Sequence, residues 1–267
     1  MSIISDYHIH TKLCGHATGE LSEYADQAIK IGLKEIGISD HAPLVSHEDP
    51  TITMSMEDLP VYHKMIEGLK SQYSDRLLIK FGVEADFIEG YEEKTKAILG
   101  GYPYDYVIGS VHYVDMWGVD NPDEQYKWKE KKTSNVYRAY HKNLQKCALS
   151  GMYDIMGHVD LVKKYGHRPD EDISDVVKET ARVFKESNVV IEINTSGLRK
   201  PAAEIYPSLS DLKIYCAAGV HIVFGSDSHA PYEVGCDYDK ALIYAKSAGY
   251  KEYALFKKRK IDRLVEL

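Results

Sequence analysis

Residues 6–10 read Asp-Tyr-His-Ile-His at the end of a short apolar run, and two similar fragments occur later in the chain. Ser39-Asp40-His41 follows a second apolar run, and residues 225–229 read Gly-Ser-Asp-Ser-His after a third. Each fragment supplies histidine and aspartate directly after a segment with the composition of a buried strand. This layout predicts a site for several metal ions, and ions that activate water favour a hydrolase.

Strand-like runs alternate with amphipathic helical patterns along the chain, which is typical of βα units that build a parallel sheet. We predict strands over Ile3–Ile9, Glu35–Ser39, Leu77–Glu84, Tyr106–Val111, Asp154–Met156, Val189–Ile193 and His221–Gly225. We predict helices over Leu21–Ile31, Met56–Tyr73, Asn135–Ser150, Ser174–Ser187 and Ser208–Ala218. This pattern fits an α/β barrel, and the lack of a flexible linker or short repeat predicts a single domain over residues 1–267. The longest segment without a predicted element is roughly Tyr113–Lys132.

Nearly every predicted strand ends in a side chain that can bind a metal. Parallel strands of a barrel have their carboxyl ends at one face, where such barrels assemble their sites. Imidazole and carboxylate ligands suit Zn²⁺, Mn²⁺ or Fe²⁺, and these groups exceed the needs of one four-coordinate ion. We therefore predict two or three divalent metals at the C-terminal face of the strands. The candidate ligands are His8, His10, Asp40, His41, Glu84, Asp86, His112, His158, Glu192, Asn194, Asp227 and His229.

Composition narrows the class of protein. A net charge of −8 argues against a broad basic face, so we predict no nucleic-acid partner, whereas a small anionic substrate needs only a few local cations or metals. The four cysteines lie far apart without Cys-x-x-Cys spacing, which indicates neither a disulfide framework nor a thiolate zinc site. The chain lacks a long apolar run and a signal-peptide pattern, so we expect a cytoplasmic protein without a membrane partner. The oligomeric state is left open.

Six short motifs together resemble the polymerase and histidinol phosphatase (PHP) superfamily. They are Asp-Tyr-His-Ile-His-Thr with a histidine six positions after His10, Ser-Asp-His, a strand ending Val-Glu, Gly-Ser-Val-His, Gly-His and Gly-Ser-Asp-Ser-His. The resemblance spans residues 6–229 and implies a distorted, TIM-like (β/α)7 barrel with a cluster of three metals at its C-terminal face. It implies these ligand sets: His8, His10, Glu84 and Asp227 for one metal; Glu84, His112 and His158 for a second, with Glu84 bridging; and His16, His41 and His229 for the third.

Two longer stretches resemble the histidinol-phosphate phosphatase branch of that superfamily. Residues 192–201 read EINTSGLRKP and continue as AAEIYPS, and residues 109–121 read GSVHYVDMWGVDN. This likeness implies a phosphatase that converts L-histidinol phosphate to L-histidinol and phosphate in histidine biosynthesis. The proton for the leaving alcohol is expected from Asp227, from His229 or from water at the metals.

Five further residues are predicted to bind the substrate. Arg199 follows a strand end, where its guanidinium can hold a phosphate through two parallel hydrogen bonds. Lys163 is a second phosphate candidate, although the neighbouring Lys164 is as plausible. Trp117, Asp120 and Glu192 lie after strand ends and are the candidates for recognising the imidazole and ammonium groups.

Two other functions stay open. The same cluster could serve a phosphodiesterase, a 3′-end exonuclease, or a phosphatase for another small ester such as a nucleotide. The second alternative is a non-catalytic module in which the metals are structural. A carboxylate shared between ions would leave open coordination positions, whereas structural zinc sites are closed, and this difference favours an enzyme.

Overall fold

Strands and helices alternate over most of residues 3–267, the part of the chain that our computed structural model describes. The strands are β1 (Ser5–Asp6), β2 (Glu35–Ile38), β3 (Leu78–Phe81), β4 (Glu84–Asp86), β5 (Ile108–Ser110), β6 (Tyr113–Val114), β7 (Trp117–Gly118), β8 (Ile155–Met156), β9 (Val190–Asn194), β10 (Ile222–Gly225), β11 (Glu252–Lys257) and β12 (Lys260–Glu266). The helices are α1 (Leu21–Lys30), α2 (Leu59–Gln72), α3 (Glu92–Leu99), α4 (Thr133–Leu149), α5 (Ser174–Glu186), α6 (Leu209–Ala217) and α7 (Tyr238–Ala248).

The predicted strands form two parallel sheets. One sheet has the order β1-β2-β3 and the other the order β10-β9-β8-β5-β4, so the predicted third strand is divided into β3 and β4. Two isolated parallel bridges, Ile9 with Ser228 and His41 with Glu84, join the sheets near the carboxyl ends of their strands. The predicted α/β class with parallel strands is confirmed, and the bridges bring the ligand-bearing strand ends of both sheets together.

Tyr106 fills the space between the two sheets. Its ring is fully buried, and its hydroxyl donates a hydrogen bond of 2.7 Å to the carbonyl oxygen of Tyr7. A Cβ atom at Gly37 would lie 1.9 Å from the Tyr106 hydroxyl, and one at Gly82 would lie 2.4 Å from its Cζ. Because a side chain at either glycine would overlap the ring, these two positions let the strands of the first sheet approach the second.

Several elements were not predicted from sequence. The antiparallel hairpin β11–β12 packs at the amino end of the strands, where the Phe256 amide donates to the Tyr7 hydroxyl at 2.8 Å. Helices α3 and α7 also lie in segments without a predicted element. The segment 113–132 is not structureless, because it contains the hairpin β6–β7 and a 3-10 helix over Pro122–Glu130. Within residues 3–267, no helix combines the length and apolar character needed to cross a membrane.

His141 joins α4 to α5 and should make the fold sensitive to acid. The side chain is buried, its Nδ1 lies 3.2 Å from Thr180 Oγ1, and burial together with Arg138 lowers the pKa of its imidazole to about 4. In the unfolded chain the pKa of histidine is about 6.5, so the unfolded state binds more protons between these values. This contribution to stability is therefore present above about pH 6.5 and is lost as the pH falls towards about 4.

We expect His141→Asn to weaken this pH dependence. From about pH 7.5 to about pH 5, the free energy of unfolding should fall by about 2 kcal/mol more in the unsubstituted protein than in the variant. Urea unfolding at the two pH values measures this difference, with His47→Asn at an exposed histidine as the control. Equal losses in the unsubstituted and His141→Asn proteins would contradict the prediction.

Candidate metal centre

Glu84 lies at the centre of a cluster of histidines. Its Oε2 is 3.0 Å from His41 Nδ1 and 3.2 Å from His8 Nε2, and its Oε1 is 3.1 Å from His158 Nε2. The Ser110 hydroxyl donates to the same Oε1. Burial alone would raise the pKa of the Glu84 carboxyl, but the surrounding imidazoles hold it well below its usual range. Glu84 is therefore an ionised carboxylate within reach of several imidazole nitrogens.

The candidate ligands fall into overlapping groups whose ligand atoms lie within 4.8 Å of one another. His8, His10 and Asp227 form one group, and Glu84, His112 and His158 form another. These two groups contain the residues that the PHP resemblance assigns to the first and second metals, with Glu84 between them.

The third predicted set is divided in the structure. His41 and His229 group with His10, whereas His16 and His229 group with Cys14. The His16 and His229 rings stack with their centroids 4.5 Å apart, so the three imidazoles nevertheless lie at one edge of the cluster. Cys14 was not a candidate from sequence because cysteine spacing carries no signal for a single thiol. It is fully buried, and its thiol donates to the Thr11 carbonyl oxygen at 3.1 Å.

The residues present fit a cluster of metal ions. Buried polar atoms in proteins nearly always have a hydrogen-bond partner. Within the described part of the chain, several buried atoms of the cluster's side chains have none: Nε2 of His8, His10 and His229, Nδ1 of His158 and Oε2 of Glu84. Two of them, His8 Nε2 and Glu84 Oε2, lie 3.2 Å apart without forming a hydrogen bond. Imidazole nitrogens and a carboxylate oxygen that converge in this way have the chemistry of a zinc, manganese or iron site.

Carboxylates behind the cluster orient the imidazoles. Glu192 Oε1 lies 2.7 Å from His8 Nδ1, Asp86 Oδ1 lies 2.7 Å from His112 Nδ1, and Asp40 Oδ1 lies 3.3 Å from His10 Nδ1. A carboxylate at Nδ1 holds the proton there and leaves Nε2 free to bind a metal. The sequence could suggest only that these acids follow strand ends; it could not show that they face the histidines from behind.

The loop after β10 presents Asp227 to the cluster. Asp227 has a left-handed backbone with φ of 53°. Its Oδ2 accepts hydrogen bonds from Ser196 Oγ at 3.0 Å and Asn194 Nδ2 at 3.3 Å. Burial opposes ionisation of Asp227, but the nearby His8 and His10 hold its pKa well below the usual range. His229 is close by, and burial together with His10 lowers the pKa of its imidazole well below the usual value.

Arg199 lies against the same loop. Its Nη2 donates to the carbonyl oxygens of Ser226 at 2.7 Å and Asp227 at 3.3 Å, and its Nε is 3.3 Å from Glu233 Oε1. Its Nη1 is buried without a hydrogen-bond partner among the described residues. The guanidinium thus lies beside the backbone of Asp227, and one of its nitrogens is without a hydrogen-bond partner among the described residues.

The other predicted substrate residues lie in different surroundings. Asp120 Oδ2 lies 2.9 Å from Lys164 Nζ. Burial alone would raise the pKa of the Asp120 carboxyl, but the charges of Lys164 and His112 lower it to about 2. This pair is on the His112 side of the cluster. Trp117 is buried against Trp128, with ring centroids 5.0 Å apart. The Glu192 carboxylate is occupied by His8, by the His158 amide and by Asn194, and Lys163 is buried among oxygen atoms.

The chain is similar over most of its length to known proteins of one family. The family model described as PHP domain matches residues 6–196. A probable histidinol-phosphatase of Deinococcus radiodurans is 36% identical over 98% of this chain and 100% of its own length, and a histidinol-phosphatase of Bacillus subtilis is 32% identical over 89% and 97%. A crystal structure of histidinol phosphate phosphatase from Lactococcus lactis, complexed with zinc, L-histidinol and phosphate, superposes with a TM-score of 0.84. It is 26% identical and covers 97% of this chain and 98% of that one.

Proposed function

The chain belongs to the PHP domain family, and from this membership and its site we propose that it is a histidinol-phosphatase. It hydrolyses L-histidinol phosphate to L-histidinol and inorganic phosphate, a step of histidine biosynthesis. The observation that carries the proposal is the convergence of unpartnered histidine and carboxylate atoms beside a guanidinium that has one free nitrogen. Similarity over nearly the full length of curated histidinol-phosphatases supports the choice of substrate.

We propose that residues 1–267 form one domain and that its parallel strands close into a distorted seven-stranded barrel. The two bridges between the sheets support closure, because they join β1 to β10 and β2 to β4 at the carboxyl ends of the strands. A hydrogen bond of 3.1 Å from the Tyr7 amide to the Phe224 carbonyl oxygen adds to the first junction. A cytoplasmic location and the lack of a nucleic-acid or membrane partner stay predictions.

We propose three divalent metals as the cofactor, with the ligand sets implied by the PHP resemblance. His8, His10, Glu84 and Asp227 would hold the first, Glu84, His112 and His158 the second, and His16, His41 and His229 the third. When bound, such ions lower the pKa of water and neutralise the charge on a phosphate.

The protein's own groups prepare this site for an anionic ester. The carboxylates of Glu192, Asp86 and Asp40 accept hydrogen bonds from Nδ1 of His8, His112 and His10 and so orient the Nε2 atom of each ring towards the proposed metals. Arg199 would bind a phosphate oxygen through Nη1, and Lys164 is a second candidate for phosphate on the His112 side. Because the pKa of Asp227 and that of His229 are both held well below their usual values, neither side chain is a ready proton donor, and the departing histidinol oxygen would take its proton from water in the site.

Initial rates decide between the candidate activities. Histidinol phosphate should be hydrolysed at least about tenfold faster than nucleotide monophosphates or other simple phosphate esters. A site that hydrogen-bonds the polar groups of its substrate discriminates against esters that lack those groups. Metal content is measured on the same sample, before and after removal by a chelator. Comparable turnover of nucleotides would refute the narrow substrate assignment, and full activity after verified metal removal would refute the metal-dependent mechanism.

Arg199→Ala tests the phosphate contact. A hydrogen bond to a charged group contributes about 1.5–3 kcal/mol, so the KM for histidinol phosphate should rise by about 10- to 100-fold. Metal content should stay unchanged, because Ser196 and Asn194 still hold the Asp227 carboxylate. Arg182→Ala, which removes an exposed ion-paired arginine of α5, is the control. An unchanged KM would remove Arg199 from the substrate site.

A further inference from the structure

Lys163 is a buried lysine outside the proposed ligand sets. Its side chain is 1% exposed, and its Nζ lies 2.7 Å from Asp160 Oδ2 and 3.1 Å from Glu204 Oε2. The same nitrogen donates to the carbonyl oxygen of Ile205 at 2.8 Å. An ammonium group is buried at little net cost only when it is paired and hydrogen-bonded, and these three oxygens use its three protons. Lys163 therefore has no proton left for a phosphate.

The oxygens around Lys163 belong to one segment, residues 204–208, and to Asp160. Asp160 Oδ2 also accepts a hydrogen bond of 2.7 Å from the Ser208 amide. Lys163 and Asp160 thus hold the segment at its beginning and at its end. Between these points, Tyr206 exchanges two backbone hydrogen bonds with Asn194, of 2.8 and 3.0 Å. The segment is therefore fixed against the carboxyl end of β9.

The 204–208 segment in turn supports the turn over Thr195–Arg199. A Cβ atom at Gly197 would lie 2.1 Å from the Glu204 carbonyl oxygen, so the two backbones touch without a side chain between them. This turn carries Ser196, which donates to Asp227 Oδ2 at 3.0 Å, and Arg199, which donates to the Ser226 carbonyl oxygen at 2.7 Å. A shift of the segment would therefore move two of the groups that hold the Asp227 loop.

We propose that Lys163 is a positioning residue for the reaction: by gripping residues 204–208 it fixes the turn over Thr195–Arg199, and so the places of the Asp227 carboxylate and the Arg199 guanidinium. The expected effect on the kinetics rests on the proposed function, whereas the expected effect on the structure rests only on the contacts described above. Lys163 acts without touching the substrate. A misplacement of about 1 Å in such a site can cost about 10²-fold in rate.

Four variants test the proposal. Lys163→Met keeps the length of the side chain but donates to none of the three oxygens, whereas Lys163→Arg can still donate. Arg168→Met is the matched control, because Arg168 pairs with the same Glu204 at 2.8 Å from an exposed position. Lys163→Met combined with Asp160→Asn removes both buried charges together and still leaves an acceptor for the Ser208 amide.

The kinetic readout is kcat and KM for histidinol phosphate, with metal content and urea unfolding measured on each variant. Lys163→Met should lower kcat/KM by about 10- to 100-fold with metal still bound, Lys163→Arg should recover most of this loss, and Arg168→Met should stay within about twofold of the unsubstituted protein. The double variant should regain stability without regaining kcat/KM, because no donor reaches Ile205. If the double variant regained both stability and kcat/KM, Lys163 would contribute only to stability, and the proposal would be overturned.

Amide hydrogen exchange gives a readout that needs no activity. Lys163→Met should speed exchange in peptides that cover 195–199 and 225–229 and leave those of β2 and α1 unchanged, and Arg168→Met should change neither set. Unchanged exchange in 195–199 and 225–229 would overturn the role of Lys163. An unsubstituted protein that fails to hydrolyse histidinol phosphate would refute the proposed function, while the exchange comparison would still decide the structural part.

Discussion

Glu84→Gln should lower kcat/KM for histidinol phosphate by at least about 10³-fold, the largest loss that we expect from any single substitution. The Glu84 carboxylate is within 3.2 Å of nitrogens of His8, His41 and His158, and its inward Oε2 has no hydrogen-bond partner in residues 3–267. Glutamine has nearly the same volume but replaces one anionic oxygen with an NH₂ group, which cannot bind a metal. The proposed shared carboxylate would be lost.

The Glu84→Gln protein should also bind less metal than the unsubstituted protein purified in the same way. Metal content by elemental analysis and initial rates on one sample measure both effects. Glu89→Gln is the matched control, since Glu89 pairs with Lys146 at the surface and its side chain is 61% exposed. A Glu84→Gln protein with normal metal content and normal rate would show that Glu84 does not bridge metals.

Gly225→Ala should damage both the site and the fold. A Cβ atom at Gly225 would lie 1.8 Å from Glu192 Oε1 and 2.7 Å from His8 Cβ. The added methyl group must therefore displace the carboxylate that orients His8 or push apart β9 and β10. Overpacking of this kind costs about 1–3 kcal/mol of unfolding free energy. Loss of the oriented imidazole should lower metal affinity or activity by about 10- to 100-fold.

Gly68→Ala in α2 is the contrasting control. A Cβ atom at Gly68 meets no atom within 4 Å, and alanine is favoured over glycine inside a helix by roughly 0.5–1 kcal/mol. Urea unfolding should therefore show opposite changes in stability for the two glycine substitutions, with activity lost in Gly225→Ala alone. A Gly225→Ala protein with unchanged stability and metal affinity would mean that Glu192 can move away from His8 without consequence.

Much of the fold could be predicted because its signals are local. Most of the predicted strands are short apolar runs, and a ligand such as His10 or Glu84 lies at or just after the end of the run. Parallel strands bring their carboxyl ends to one side, so side chains far apart in sequence could be expected at a common site. The hairpin β11–β12 lacked such a signal, because β12 is mostly exposed and carries charged residues at most positions.

The chemistry of single residues was harder to predict, because it depends on partners distant in the chain. Trp117 follows a strand end, yet it packs against Trp128. Glu192 was expected to meet the substrate, whereas its carboxylate lies behind His8, 184 positions away in sequence. Lys163 and Lys164 are neighbours of the same type, and only the folded chain gives one to Asp160 and the other to Asp120.

By itself, the sequence determined the parallel α/β class, the order of the strands along the chain and the set of histidines and carboxylates from which a metal centre can be built. These properties follow from the hydrophobic period and from the residue types at strand ends, both of which are readable within a few positions. Only the tertiary structure decided which carboxylate orients which imidazole, which lysine is buried and how the Asp227 loop is held. These roles depend on distances of about 3 Å between residues far apart in sequence, because hydrogen bonds and ion pairs act only at that range.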